Sequence, residues 1–269
     1  RTHHDQTGTR AAARAGQFYP AGARDVASAV DMHMAKAPGV KATPHRAVML
    51  PHAAWRFCGD TIAKTIASVK VPDLAVVIGP NHTGVGPAWS IASHKTWELP
   101  GISVRIDTDA AEFIADRAAA MQCEANAHRM EHGTEVLLPF LHKANPAVRV
   151  VPIVLGHTSY EQTAPLAAAL AELIEQREVL LVISSDMNHF ATEVENRRLD
   201  HLALDAMLTG NPRELYDTCT RNQISMCGMI PAVTIMQALL ARNGKPLQPE
   251  LVDYTNSAQA TGDMTSVVG

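Results

Sequence analysis

A chain of 269 residues with 46% hydrophobic side chains can bury a substantial core, and no linker or composition shift divides it. A formal net charge of −4, no basic stripe and only 4% aromatic residues exclude the phosphate-neutralising, base-stacking surface of a nucleic-acid binder. No apolar run reaches the roughly 20 residues that span a bilayer, the opening RTHHDQTGTR is polar rather than signal-like, and four cysteines without a CxxC pair suit reduced thiols, so a soluble, cytoplasmic protein without a zinc knuckle is expected.

Residues 1–13 read as a disordered or appended tail. The segment RAGQFYP, residues 14–20, sets two aromatics beside a proline and reads as an anchored loop. A helix is expected over residues 25–36, stopped by Pro38 and Gly39, then a strand over 46–50. After His52 the segment AAWRFCGD turns into a helix over about 60–69, followed by a strand over 73–78. Short strands are expected at 88–93 and 103–106, and a helix at 107–120 capped by Asp107 or Thr108. Residues 128–144 place acidic and imidazole groups before a helix whose stripe is Val136, Leu137, Phe140 and Leu141. A strand at 148–155, a helix at 160–175 and a strand at 179–184 come next, then helices near 196–208 and from Asn211. The apolar run IPAVTIMQALLARNG is a helix stopped at Asn243 and Gly244, and the last strands are expected at 246–255 and 264–268. Strand and helix patterns alternate throughout, which implies an α/β class with a parallel or mixed sheet covered on both faces.

Several strands end on polar groups of one kind. AVMLPH delivers His52, AVVIGPNH delivers His82, and VLLVISSDMNH delivers Ser184, Ser185, Asp186 and His189, while a fourth strand stops near His157. In an open parallel sheet, ligands bind beyond the carboxyl ends of the strands, so these endings point to one shared site. Cys227 precedes the apolar helix, where unpaired backbone donors and the helix dipole favour a thiolate. His52, His82 and Cys227 together make a three-ligand set for a transition metal with positions left open; a buried, inert Cys227 is the competing reading. Asp186 and His189, three residues apart, suit an imidazole held in one tautomer that moves a proton near neutral pH, or an Asx turn followed by a surface histidine. Glu131 and His132 are similar candidates, whereas Glu135 reads as an ordinary capping or helix-face carboxylate.

The ordered segments AGQFYP, PHAAWRFCG, IGPNHTG, EHGTEVLLPFL, VPIVLG, SSDMNHF and MCGMIP resemble the Memo family across residues 14–269. That resemblance implies a single α/β domain, with a central mixed, largely parallel sheet flanked by helices as in the LigB-type class III extradiol dioxygenases, which use non-haem Fe(II). It places His52, His82 and Cys227 at the family's metal-site positions, Asp186 and His189 in its pocket, and His189 where the dioxygenase relatives keep their acid/base histidine. Those relatives have a carboxylate at the position of Cys227, and softer sulfur donation changes the preferred metal. Ala54 and Trp55 stand where glycine and tyrosine are common, so Trp55, with Glu131 and His132, is expected to contact substrate.

The function expected is a metal-dependent oxidoreductase, dioxygenase-like, holding Fe(II), or else copper or zinc, and acting on an electron-rich small molecule with O2. A zinc hydrolase or amidase built on the same ligands is one alternative. A phosphopeptide-binding module is another, for which only Arg56 and Arg197 stand near the mouth. AMMECR1-like and radical SAM proteins are the functional neighbours that the resemblance implies.

Overall fold

The computed structural model describes residues 8–269. Its strands are β1 (Thr9–Arg10), β2 (Ala47–Leu50), β3 (Leu74–Pro80), β4 (Trp89–Ala92), β5 (Thr96–Leu99), β6 (Ile102–Ile106), β7 (Gln122–Glu124), β8 (Arg149–Leu155), β9 (Leu180–Ser184), β10 (His189–Ala191) and β11 (Val267–Val268). The main sheet runs β1-β5-β6-β8-β3-β9-β2, with β4 joined to β8 and β7 to β4; β10 and β11 form a separate antiparallel pair. Its centre is parallel: β3 lies between β8 and β9, and β2 follows β9 in the same direction. The pairs β5–β6 and β4–β8 are antiparallel, which makes the sheet mixed.

Apolar side chains on both faces of β3 explain its central place. Leu74, Val76 and Ile78 enter one core cluster, while Ala75 and Val77 enter the other. The helices divide accordingly. The face of Leu74 is covered by α3 (Thr108–Arg117), α6 (Ala164–Gln176), α7 (Glu193–Leu208), α8 (Pro212–Arg221) and α9 (Met229–Asn243). On the other face lie α1 (Ala23–Met34), α2 (Trp55–Ser68) and α5 (Leu138–Ala144); the one-turn α4 (His132–Glu135) leads into α5. Local chemistry sets the ends: Asp107 caps α3 by accepting the Ala110 amide, Asn211 caps α8, and Gly244 stops α9 with φ at +60°. The expected stripe of Val136, Leu137, Phe140 and Leu141 is fully buried.

Four expectations are corrected. The tail does not extend to residue 13: Thr9–Arg10 pairs with β5, and the Arg10 guanidinium is buried against Glu135 at 2.6 Å, while residues 1–7 lie outside the described residues. Helix α2 begins at Trp55, not near residue 60. Gly59 lies inside the helix, where a side chain would come within 2.5 Å of the His33 ring on α1. Strand β5 was not anticipated, since Thr96–Leu99 and β6 form a hairpin turned by Pro100 and Gly101. Residues 246–255 form no strand, because Pro246 and Pro249 lack the amide that a ladder requires, and only Val267–Val268 of residues 264–268 pairs.

Candidate metal centre

Strands β2, β9 and β3 are neighbours in the sheet, so their carboxyl ends open on one crevice. His52 follows β2 across Pro51, His82 follows β3, and Ser184, Ser185 and Asp186 finish β9. His132 enters from the first position of α4. The ring nitrogens of His52, His82 and His132 gather within 4.8 Å of one another, the donor spacing that a bound cation requires. The rings of His82 and His132 stack at 4.4 Å, and Phe18 stacks on the outer face of His132 at 4.2 Å.

Hydrogen bonds determine which nitrogen of each ring faces inward. The Ser184 hydroxyl donates to the Gly133 carbonyl at 2.6 Å, so toward His52 Nδ1, also at 2.6 Å, its oxygen accepts. His52 is therefore protonated at Nδ1 and presents Nε2 to the crevice. His82 is held likewise: its Nδ1 donates to Glu131 Oε1 at 2.5 Å, and its backbone amide donates to Glu131 Oε2 at 2.7 Å. The Gly133 amide completes this cradle with a 3.2 Å bond to Oε1. A carboxylate or hydroxyl behind each imidazole fixes ring orientation and raises ligand basicity, as it does behind metal-bound histidines generally.

Cys227 stands beside His52. Its Sγ lies 3.2 Å from His52 Nε2 and accepts the Asp186 amide at 3.2 Å, one residue ahead of Gly228, the cap of α9. Burial alone would raise this thiol, but the charge on His52 and the surrounding imidazoles of His189, His52 and His82 bring it well below the ordinary thiol value. Burial likewise disfavours charge on His82, yet bonding to Cys227 and Glu131 outweighs it and holds the imidazole up at about 10. His52 is also raised, with burial opposing and Cys227 and Asp186 prevailing. His132 behaves oppositely: burial, then repulsion from His52 and His82, push it down to about 3, so it stays neutral with a lone pair available. Without a metal the cluster gathers protons around a thiolate, and the same lone pairs suit a cation.

A cavity of about 1200 Å³ opens onto this cluster, touching His82, His132, Asp186, His189 and Phe190 at that end. A family model described as Memo-like protein matches residues 10–269 of the chain. The chain belongs to the Memo family. Among its Memo relatives, a MEMO1 family protein of Aquifex aeolicus is 35% identical over 260 residues, 96% of each chain, and one of Aeropyrum pernix is 32% identical over 272 residues, again 96% of each. A third, from Archaeoglobus fulgidus, is 33% identical over 257 residues and 95% of each chain. The crystal structure of the uncharacterized protein JW3007 from Escherichia coli K12 shares the fold with a TM-score of 0.51 at 14% identity, covering 82% of this chain and 98% of that one.

In this Memo chain, His52, His82 and Cys227 meet as the sequence suggested, but His132, expected to touch substrate, stands among the ligand candidates. Glu131 is 2% exposed and braces His82 rather than lining the cavity. Trp55 is a core residue: 3% exposed, it packs against Phe140 and Tyr19, and its indole N–H donates to the Val136 carbonyl, because α2 begins there and turns it inward. Asp186 does not orient His189 by a hydrogen bond. Its Oδ1 accepts the His52 amide at 2.9 Å, whereas the His189 amide donates to Ser225 Oγ. His157 is exposed and outside the cluster, Arg197 is bound to Glu193, and Arg56 lies over the Phe57 ring. The sequence reading missed Glu135, the anchor of the amino-terminal arm, which accepts from Arg10, the amides of Ala13 and Arg14, and the Tyr19 hydroxyl. Its helical context resembled that of any surface carboxylate, and only long-range partners distinguish it.

Proposed function

We propose that this Memo chain is a metal-dependent oxidoreductase of dioxygenase-like type, holding Fe(II), with copper next in order, and acting with O2 on an electron-rich small molecule. The observation that carries the reading is the cluster itself: His52 and His82 with Nδ1 occupied by Ser184 and Glu131, and a thiolate 3.2 Å from His52 Nε2. Two imidazoles and a soft sulfur fit iron or copper, and His132 adds a neutral nitrogen on the open side. When bound, such a metal supplies one-electron chemistry and Lewis acidity.

The chain's own groups prepare the rest. His189 Nε2 is buried and, among the described residues, has no hydrogen-bond partner, which suits a nitrogen that takes a proton from substrate and returns it. Ser225 holds the His189 backbone at 2.9 Å, so the ring is carried on a fixed support. Burial raises the carboxyl of Asp186, with His52 opposing and Cys227 adding. Protein reconstituted anaerobically should bind one Fe(II) and consume O2 when an electron-rich substrate is supplied. Failure of iron and copper to bind stoichiometrically would refute the proposal.

A specific observation favours a second reading. The grouping of three histidines, His52, His82 and His132, is also the donor set of a catalytic zinc site with an open position, which implies a hydrolase or amidase. Elemental analysis of the protein as purified, with turnover measured in the absence of oxygen, separates the two.

A further inference from the structure

We infer that residues 250–255 close as a strand onto the free edge of β2, so that the cavity before the candidate metal centre has an open and a shut form. Strand β2 ends the sheet order. In its pair with β9, the Arg46 carbonyl accepts from Leu181 and the Leu50 carbonyl accepts from Ser185. Strand alternation turns Val48 to β9 as well, so the amides and carbonyls of Ala47 and Met49 point off the sheet. An edge of this kind is a template for another strand.

The segment after α9 lies where that strand belongs. At its start Arg46 donates to Asn243 at 2.9 Å; at its end the Ser257 amide donates to Val268. It therefore runs in the direction of β2, as the next turn of an α/β winding does. Among the described residues its backbone, from Pro246 to Thr255, makes no hydrogen bond to other backbone. It is tied by side chains alone: Asp253 accepts from Thr61 of α2 at 2.8 Å, and the Tyr254 hydroxyl donates to Asp200 of α7 at 2.6 Å. Leu251 and Val252, strand-forming residues beside an apolar cavity, are 45% and 44% exposed. Met49 of β2, Thr65 of α2 and Leu239 of α9 line the same space as Leu251. Two unpaired backbones, apolar side chains left in water and a void between them describe a strap short of closure. Pro246 and Pro249 keep its first half from pairing and limit the ladder to residues 250–255.

Closure would govern traffic to the centre, an assignment that rests on the reading of the cavity as its approach; the movement itself does not. The test is amide exchange, resolved by residue, on the metal-free full chain. The Ala47 and Met49 amides should exchange at least about tenfold slower than free amides. Strand alternation requires that only one of the variants Leu251→Pro and Val252→Pro remove an inward-facing donor, so one should release this protection and the other should not. The thiols give a second readout. Cys58 lines the cavity and Cys219 is buried outside it. The disrupting variant should speed modification of Cys58 by a small uncharged reagent about tenfold and leave Cys219 unchanged. Unprotected Ala47 and Met49 amides in the parent chain, or protection indifferent to both prolines, would overturn the inference. A variant that exposes Cys219 has unfolded, and the parent chain's exchange then decides. Neither readout involves metal, so the strap and the metal centre stand or fall separately.

Discussion

Glu131→Gln tests the brace behind His82. The carboxylate accepts three N–H groups: the His82 amide at 2.7 Å on Oε2, and His82 Nδ1 at 2.5 Å with the Gly133 amide at 3.2 Å on Oε1. Glutamine fills the same outline with one accepting oxygen and one donating NH2. With its oxygen toward Nδ1, the NH2 opposes the His82 amide. Turned round, the NH2 faces Nδ1, which must then accept, and the ring proton moves to Nε2, the atom offered to the metal. Either arrangement leaves a buried group unmet, at about 1–3 kcal/mol. Loss of such a support weakens metal binding about 10–100-fold, or roughly 1.4–2.7 kcal/mol. Anaerobic titration against a competing chelator measures that ratio, and thermal unfolding of the metal-free variant reports the integrity of the fold. A folded Glu131→Gln protein that binds metal as tightly as the parent would refute the role of Glu131 and count against His82 as a ligand.

Cys227→Ser keeps a polar atom near His52 but removes the thiolate; in the cobalt-loaded protein the near-ultraviolet sulfur-to-metal absorption should vanish, and a spectrum identical to the parent's would remove sulfur from the ligand set. His128 is pushed down to about 3 by burial first and then by the charge on Arg10, against an ordinary value of 6.5, so the unfolded chain binds the extra proton between those values and stability falls as pH drops from about 6.5 to 3. The loss is at most about 4–5 kcal/mol, and His128→Gln should flatten that limb in denaturant titrations taken across the range; an unchanged acid limb would contradict it. Phe190 holds φ at +61° and is 77% exposed, so Phe190→Gly should raise stability by about 1 kcal/mol in chemical denaturation. A loss instead would mean that the ring makes contacts worth more than the strain.

The parts of the fold that were legible in sequence are those written in local chemistry. Asp107, Asn211 and Gly244 announce helix ends through groups that meet their own neighbours, and β3 announces a central strand through an unbroken apolar run. The histidines after strands were legible for the same reason: strand, then proline, then imidazole is a local pattern. What escaped is settled by distant partners. Gly59 resembles a breaker until His33 of α1 is found against it, and Arg10 resembles tail until Glu135 and the Trp97 ring, 4.1 Å away, are found around it. Trp55 illustrates the cost of a misplaced helix start, because moving the start of α2 by one turn rotates an indole from the crevice into the core.

The sulfur reaches the centre by a different route from the imidazoles. His52 and His82 follow β2 and β3, the two parallel strands that flank β9, so sheet register brings them together over the end of β9; Cys227 arrives on the loop before α9 and depends on how closely that helix start can approach β9. Gly228 sets the approach. A side-chain carbon there would lie 2.3 Å from Ser185 Cβ and 2.7 Å from the Ser184 carbonyl, and the Gly228 amide donates to Ser185 Oγ at 2.8 Å. Any larger residue would push the loop outward, and Cys227 with it, away from His52. The Ser184–Ser185 pair thus serves both halves of the site: Ser184 selects the tautomer of His52, and Ser185 admits the helix that carries the thiolate. A glycine with no chemistry of its own thereby sets how near the Cys227 sulfur stands to the His52 ring, 3.2 Å from Nε2.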